Sequence, residues 1–487
     1  MSSRLTRRTV LAGASTFIGS AALGQAPQSI ARPLPRGAVP VSEPVSSASV
    51  VERAGLSGVV AFALLDAATG EVVDHGLGGR RMPPASTLKA ITTLYGLDRL
   101  GPDHRFQTRV FFTGQPKGGK IEGDLVLAGG GDPTLDTDAL GDLAMALREA
   151  GLTEVTGRFL VWNGALPTGR FIDADQPDHV AYNPSFGGLN LNFNRVHFEW
   201  KRAGEDFDIT MQARAVRFRP GTQVARMTIE DRSAPVFAYR EAYGGGGDRW
   251  SVARGALGQD GARWLPVRVP ALYCGEVFQT LARSNGIVLK APEIIDELPD
   301  GLTEVAAIES ARLEDMLRGM MRYSTNLTAE AVGLSASLVN GVPVGSLLAS
   351  GSRMAGWATT RFGTDDVQFR DHSGLGYASS ISPIAMARIL VGSQTARPLM
   401  RPVSLPEAAP SGSACVAKTG TLNFVSTLAG YLTGASGRDY AFAIMTADVA
   451  RRDAVPPEER ERPRGASSWA RRSRFLQKAL LANWAEV

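Results

Sequence analysis

Cysteine is nearly missing from this 487-residue chain, with only Cys274 and Cys415 present, and that excludes a disulfide-dense scaffold or a zinc ribbon. Cys274 lies among helix-like residues and Cys415 precedes a strand-like run, settings that favour two buried small hydrophobes over a single bridge. Histidine is scarce as well. His75, His104, His179, His197 and His372 show no metal-ligand spacing, so no metal is expected, and His372 reads as an exposed loop residue. No Gly-x-Ser-x-Gly elbow occurs, which argues against a conventional Ser-His-Asp hydrolase. No long apolar run follows the N-terminal segment, so no stable transmembrane anchor is expected. The net charge of +4 arises from basic residues interspersed with acidic ones, a pattern that gives no case for nucleic acid.

Lysine is the most informative shortage. Only seven of the 52 basic residues are lysine, and arginine does not deprotonate in proteins. A position that needs a titratable amine must therefore be lysine. Lys89 and Lys418 both fall in short motifs that carry chemistry.

The composition itself, 44% apolar and 21% charged, is globular and long enough for two or three cores. Residues 1–24 read as a signal peptide: Arg7-Arg8 precede a short apolar stretch from Ala12 to Leu23, matching either a twin-arginine or a Sec signal. Residues 25–47 carry Pro27, Pro33, Pro35, Pro40 and Pro44, which forbids a continuous helix and suits a linker. Val59 to Leu65, a turn at Thr69-Gly70, and Glu71 to Val73 predict a hairpin. Leu88, Ile91, Leu94 and Leu97 predict a helix that starts near Ser86. Residues 111–269 have short alternating segments and glycine-rich loops, the mark of a β-rich block. Helical periodicity returns from Pro270, with Ser310 as a cap for an apolar face at Leu313, Met316, Leu317, Met320 and Met321. Strands are expected around Ala414–Ala417, Leu428–Leu432 and Tyr440–Met445, and a last helix over Trp469–Trp484.

Three motifs can do chemistry. Ser86-Thr87-Leu88-Lys89 puts a hydroxyl and an amine at i and i+3 at a helix start, within hydrogen-bonding reach on one face, with unpaired amides nearby for an oxyanion. Ser324-Thr325-Asn326 sits between two helices, where a helix stop and cap would read the same way. Lys418-Thr419-Gly420-Thr421 ends a strand: a cation, two hydroxyls, and a glycine that lets a peptide backbone approach the edge.

In that order and in those contexts the motifs resemble the three signatures of penicillin-binding proteins and class A β-lactamases. The separation of 238 positions from Ser86 to Ser324 narrows the resemblance to the class C low-molecular-mass penicillin-binding proteins, the D-alanyl-D-alanine carboxypeptidase/endopeptidase family of the penicillin-binding protein 4 type. Gly130-Gly131-Asp132-Pro133-Thr134-Leu135, Asn190-Leu191-Asn192-Phe193-Asn194 and Asp371-His372-Ser373-Gly374-Leu375 support it. The resemblance implies an α+β penicillin-binding/β-lactamase-like transpeptidase domain, an antiparallel sheet with flanking helices, built from 48–110 and 270–487. A long β-rich insertion of two smaller domains over 111–269 would split it.

The activity so implied is a periplasmic serine D,D-peptidase acting on peptidoglycan stem peptides. Ser86 would be nucleophile and Lys89 base, with Ser324 as relay and Lys418 as cation. Asn326, Thr419, Gly420 and Thr421 would bind substrate. No cofactor is implied, and β-lactams would be covalent inhibitors. A β-lactamase or esterase using the same serine, and a non-catalytic cell-wall binding protein, stay open. His372 stands where the family has glycine and Thr325 where it often has aspartate; the first would alter the rim of the site, the second a supporting hydrogen bond.

Overall fold

The computed structural model describes residues 46–486 except 115, 340 and 366; the expected signal peptide and nearly all of the expected linker lie outside them. The first described element is a helix, Ser47–Ala54, capped by Ser46 Oγ on the Ser49 amide, so regular structure begins at the very end of the stretch assigned to the linker.

A six-stranded antiparallel sheet organises the core that holds the motifs. Its order is Arg401–Pro402, Ala414–Leu422, Val425–Thr433, Asp439–Ala447, Val59–Asp66, Val72–Gly76. The two middle strands, Val425–Thr433 and Asp439–Ala447, are buried on both faces along almost their whole length. That is why they read as near-continuous apolar runs instead of alternating ones. Val59–Asp66 pairs with Asp439–Ala447 through eight residues, joining the two ends of the chain in one sheet. One face packs on the helices Leu88–Leu100, Leu313–Tyr323 and Pro383–Gly392. The other is covered by Ser47–Ala54 and Ala466–Trp484. Trp484 Nε1 donates to Asp74 Oδ2 at 2.7 Å and anchors the last helix to the edge strand.

A second core lies in the intervening chain. Its five-stranded sheet runs Pro292–Ile295, Phe159–Trp162, Leu125–Gly129, Gln107–Phe112, Thr303–Glu309, and three three-stranded sheets pack with it. The expected limits of 111 and 269 fall inside this body. Gln107–Phe112 pairs with Thr303–Glu309, and the helix Pro270–Ser284 contributes Ala271, Tyr273, Val277, Phe278 and Leu281 to the same apolar cluster. The excursion therefore runs from 107 to 309 and contains helices as well as strands. Its neck is closed by Phe106 and Ser310: the Phe106 amide donates to Ser310 Oγ at 3.0 Å and the Ser310 amide to Phe106 O at 2.9 Å. Ser310 is thus not a helix cap, since Arg312 occupies that position without a side-chain bond. Cys274 and Cys415 are both buried and free, and among the described residues no helix is long and apolar enough to cross a membrane.

Candidate active site

Ser86 sits in a short 3-10 turn, Ala85–Thr87, that feeds directly into the helix Leu88–Leu100. Pro84 initiates the turn. Its carbonyl accepts from Thr87 Oγ1 at 2.6 Å and Thr427 Oγ1 at 2.8 Å, which fixes the turn against the central sheet. Ala85 is held at φ +46°, a left-handed conformation that costs a β-carbon-bearing residue about 1 kcal/mol or more. Two glycines admit this turn. A Cβ on Gly374 would stand 1.9 Å from Ala85 O, and one on Gly420 would stand 2.9 Å from the Ser86 amide. Gly420 is needed because the strand Ala414–Leu422 runs directly behind Ser86. The short strand Arg401–Pro402 pairs only with Val416 and Ala417, so Lys418 to Leu422 form an open edge, the feature an added peptide strand requires.

Lys89 is fully buried one helical turn on. Its Nζ lies 3.0 Å from Ser86 Oγ, 2.7 Å from Asn326 Oδ1 and 2.7 Å from Ser373 O. The last two atoms can only accept, because Asn326 Nδ2 is committed to Tyr182 O at 2.7 Å. A neutral amine has two N–H donors and one lone pair. With both donors used on Asn326 and Ser373, the lone pair is directed at the Ser86 hydroxyl, the one neighbour that can donate. Burial is the main cause that drops the Lys89 pKa to about 7, and the Lys418 cation adds to it, while Glu330 and Asp371 push back.

The Asp371–Gly374 segment carries the Ser373 carbonyl. Glu330, on the helix Asn326–Leu338, accepts the His372 amide at 2.9 Å and the Ser373 amide at 3.0 Å. Asp371 accepts the amides of Gly374 and Gly376. Burial raises the pKa of both carboxyls. His372 is not an exposed rim residue. Its ring is fully buried, stacked on Tyr95 at 6.4 Å with Nε2 2.7 Å from Ser350 Oγ, and burial holds its pKa down at about 3. Room for the ring comes from Gly333, where a Cβ would come within 2.1 Å of it. Thr325 Oγ1 donates to Thr328 Oγ1 at 2.9 Å, a bond within the first turn of its helix.

Ser324 closes the helix Leu313–Tyr323 at φ +58°. Its Oγ accepts from Lys418 Nζ at 3.0 Å, and Lys418 also donates to Thr419 O at 2.8 Å. The structure therefore couples Ser324 to Lys418, whereas Lys89 spends its contacts on Ser86, Asn326 and Ser373. Burial first, then the charge of Arg401, lowers the Lys418 pKa to about 8. Ser86, Ser324, Asn326 and Thr421 share one cleft of about 420 Å³. Thr419 is exposed on the same strand and does not line it. The far wall comes from residues that no local motif marks: Gln176 and Tyr182 from the excursion, and Glu461 from the C-terminal loop. Among the described residues no cluster of histidine, cysteine and acidic side chains could hold a metal ion.

A serine hydroxyl facing a desolvated lysine, at the open edge of an antiparallel sheet flanked by helices, defines a serine-type peptidase of the penicillin-binding architecture. The chain belongs to the D-Ala-D-Ala carboxypeptidase 3 (S13) family, whose model matches residues 48–463. It is a D-alanyl-D-alanine carboxypeptidase/endopeptidase of that family. A D-alanyl-D-alanine carboxypeptidase of Actinomadura sp. (strain R39) is 26% identical over 82% of this chain and 79% of its own. A carboxypeptidase of Mycolicibacterium smegmatis is 27% identical over 85% of each. The fold matches that of penicillin binding protein 4 from Haemophilus influenzae, at a TM-score of 0.73 and 18% identity over 90% of this chain and 99% of that one. The H. influenzae protein has also been solved in complex with a β-lactam.

Proposed function

We propose that Ser86 is the nucleophile and Lys89 its base, acting on D-alanyl-D-alanine ends or cross-links of peptidoglycan stem peptides outside the cytoplasm. The observation that carries this reading is the set of three contacts on Lys89, which turns a neutral amine's lone pair toward Ser86. Lys89 takes the hydroxyl proton as Ser86 Oγ bonds to the carbonyl carbon, and the N–H groups of Ser86 and Thr421 stabilise the oxyanion. The C–N bond then breaks. Because Ser324 is joined to Lys418, the leaving amine takes its proton from the Ser324 hydroxyl, which Lys418 resupplies before it is re-protonated from solvent. Asn326 must release Tyr182 O to bind the substrate amide, and Thr421 with the Gly420 backbone holds the terminal carboxylate at the open strand edge, Thr419 standing outside the cleft.

Both Glu330 oxygens are taken by backbone amides, so this carboxylate is not presented to a hydrolytic water. Release of a penicilloyl group is accordingly slow, and β-lactams act as covalent inhibitors. The test is mass spectrometry after incubation with benzylpenicillin and with cross-linked muropeptides, wild type against Ser86→Ala. A stable adduct on the Ser86 peptide and D-alanine release or cross-link cleavage, both lost in the variant, are expected. Rapid penicillin turnover would make the enzyme a β-lactamase, and an unlabelled Ser86 peptide would overturn the assignment.

A further inference from the structure

A second cavity, of about 510 Å³, shares Tyr182 and Glu461 with the Ser86 cleft and is otherwise lined from the excursion by Arg195, His197, Arg263 and Trp264, among others. Its charges are unbalanced in a specific way. Glu461 is already taken, by Arg263 at 2.8 Å and by His179 Nε2 at 2.7 Å. Arg195 has no acidic partner among the described residues, and its Nε is buried without a hydrogen bond. The guanidinium is held only by ring faces, Phe193 at 5.0 Å and Trp264 at 5.6 Å. His197, nine-tenths buried beside it, leaves Nδ1 without a hydrogen bond; Glu199 Oε2 stands 3.8 Å from it but is bound by Arg214 at 2.9 Å, and the ring meets Trp264 edge-on. A partly buried cation with no counter-charge of its own, facing a cavity, is set to gain from an anion that enters there.

The position of Arg195 is tightly set. The Asn190–Asn194 segment that precedes it makes three successive left-handed residues, Asn192, Phe193 and Asn194. Asn194 Nδ2 ties that turn to Asn190 Oδ1 at 2.8 Å and Ser185 O at 2.9 Å. The turn delivers Phe193 beneath the guanidinium and starts the strand Arg195–Ala203.

We propose that Arg195, with His197 and the Trp264 ring, forms a carboxylate-binding subsite that receives an acidic residue of the peptide upstream of the scissile bond. A chain whose C-terminal end lies at Thr421 passes the Tyr182–Glu461 wall to reach it. The arginine supplies charge-assisted hydrogen bonds, and the cavity supplies the low dielectric that strengthens them. The subsite rests on Ser86 being the acylated residue, and the experiment separates the two.

Two series of D-alanyl-D-alanine peptides, identical except for glutamate or glutamine at successive upstream positions, are compared by kcat/KM. At one position wild type favours glutamate by about tenfold, chiefly through KM. Arg195→Gln abolishes that preference while the glutamine peptide and benzylpenicillin acylation are handled as in wild type. No preference at any position, or one that survives Arg195→Gln, overturns the subsite; failure of wild-type acylation overturns the Ser86 assignment instead. Should Arg195→Gln not fold, titration calorimetry on Ser86→Ala decides. The glutamate peptide is expected to bind about tenfold more tightly than its glutamine twin, with the gap narrowing in salt. Equal affinities contradict the proposal.

Discussion

Each of the two cores holds a basic side chain out of water, Lys89 wholly and Arg195 in part, and they treat it in opposite ways. Around Lys89 every neighbour is placed to make the neutral amine the better state: two acceptors for its two donors, one hydroxyl for its lone pair, and no solvent. Around Arg195 the side chain cannot shed its proton, and the nearby carboxylates, Glu461 and Glu199, are paired with Arg263 and Arg214 instead, leaving rings and space beside it. A buried lysine relieves its desolvation by titrating, which makes it a base. A partly buried arginine has no such relief, so it gains from a charge that enters from outside.

The comparison breaks most sharply at Lys89→Arg, which puts a permanent charge where the neutral amine sits and removes the base. Acylation by benzylpenicillin, measured on the folded fraction, should fall by roughly a thousandfold or more; near-normal acylation would show that Lys89 is not the base. Lys89→Met probes the same residue for stability. It leaves Ser373 O and Asn326 Oδ1 without their donor, and chemical denaturation should report a loss of about 2–3 kcal/mol. Arg195→Met, by contrast, removes a cation that nothing in the chain satisfies, and should leave stability unchanged or raise it by up to ~1 kcal/mol. A loss equal to that of Lys89→Met would erase the distinction between the two sites.

The packing behind Lys89 gives a finer test. Gly333→Ala drives a methyl into the His372 ring and should destabilise by about 1–3 kcal/mol. The same change in a His372→Gly background should cost less than half as much, and an additive double-mutant cycle would show that the glycine and the ring are not matched to one another.

How much of this could be read from the residues differs between the two cores. Ser86 and Lys89 are one helical turn apart, and Lys418 to Thr421 share a strand, though inside Ala414–Leu422 and not at its end as the motif suggested, so local spacing suffices to bring out their chemistry. The partners that tune them are not local. Ser373 contributes a backbone carbonyl, Glu330 acts through two amides, and Tyr182, Gln176 and Glu461 arrive from other parts of the chain, leaving no periodic signal. His372 reads as an exposed loop residue because its sequence neighbours are small and polar; the space for its ring is made by Gly333, on the helix Asn326–Leu338. The limits of the excursion were displaced for a related reason: Gln107–Phe112 directly follows the Ser86 helix, and its partner Thr303–Glu309 is 191 residues further on. Pairing at that range is visible only in the folded sheet. The Asn190–Asn194 run stood out in the sequence without a role, and the structure shows it aiming Arg195.

The central claim, that Lys89 works as a neutral amine whose pKa is lowered by burial, is tested most directly by the pH dependence of the benzylpenicillin acylation rate on the free enzyme. A lysine lowered to about 7 is charged and inactive below that pH and neutral above it. The rate should therefore climb tenfold per pH unit on the acid side, level off above about 7, and fall again where Lys418, lowered to about 8, loses its proton. Because Lys89→Arg removes the group that titrates on the acid limb, its residual rate should lack that limb. A wild-type profile that is flat from pH 5 to 9, or that begins to rise only near the ordinary lysine range of about 10, would contradict the account.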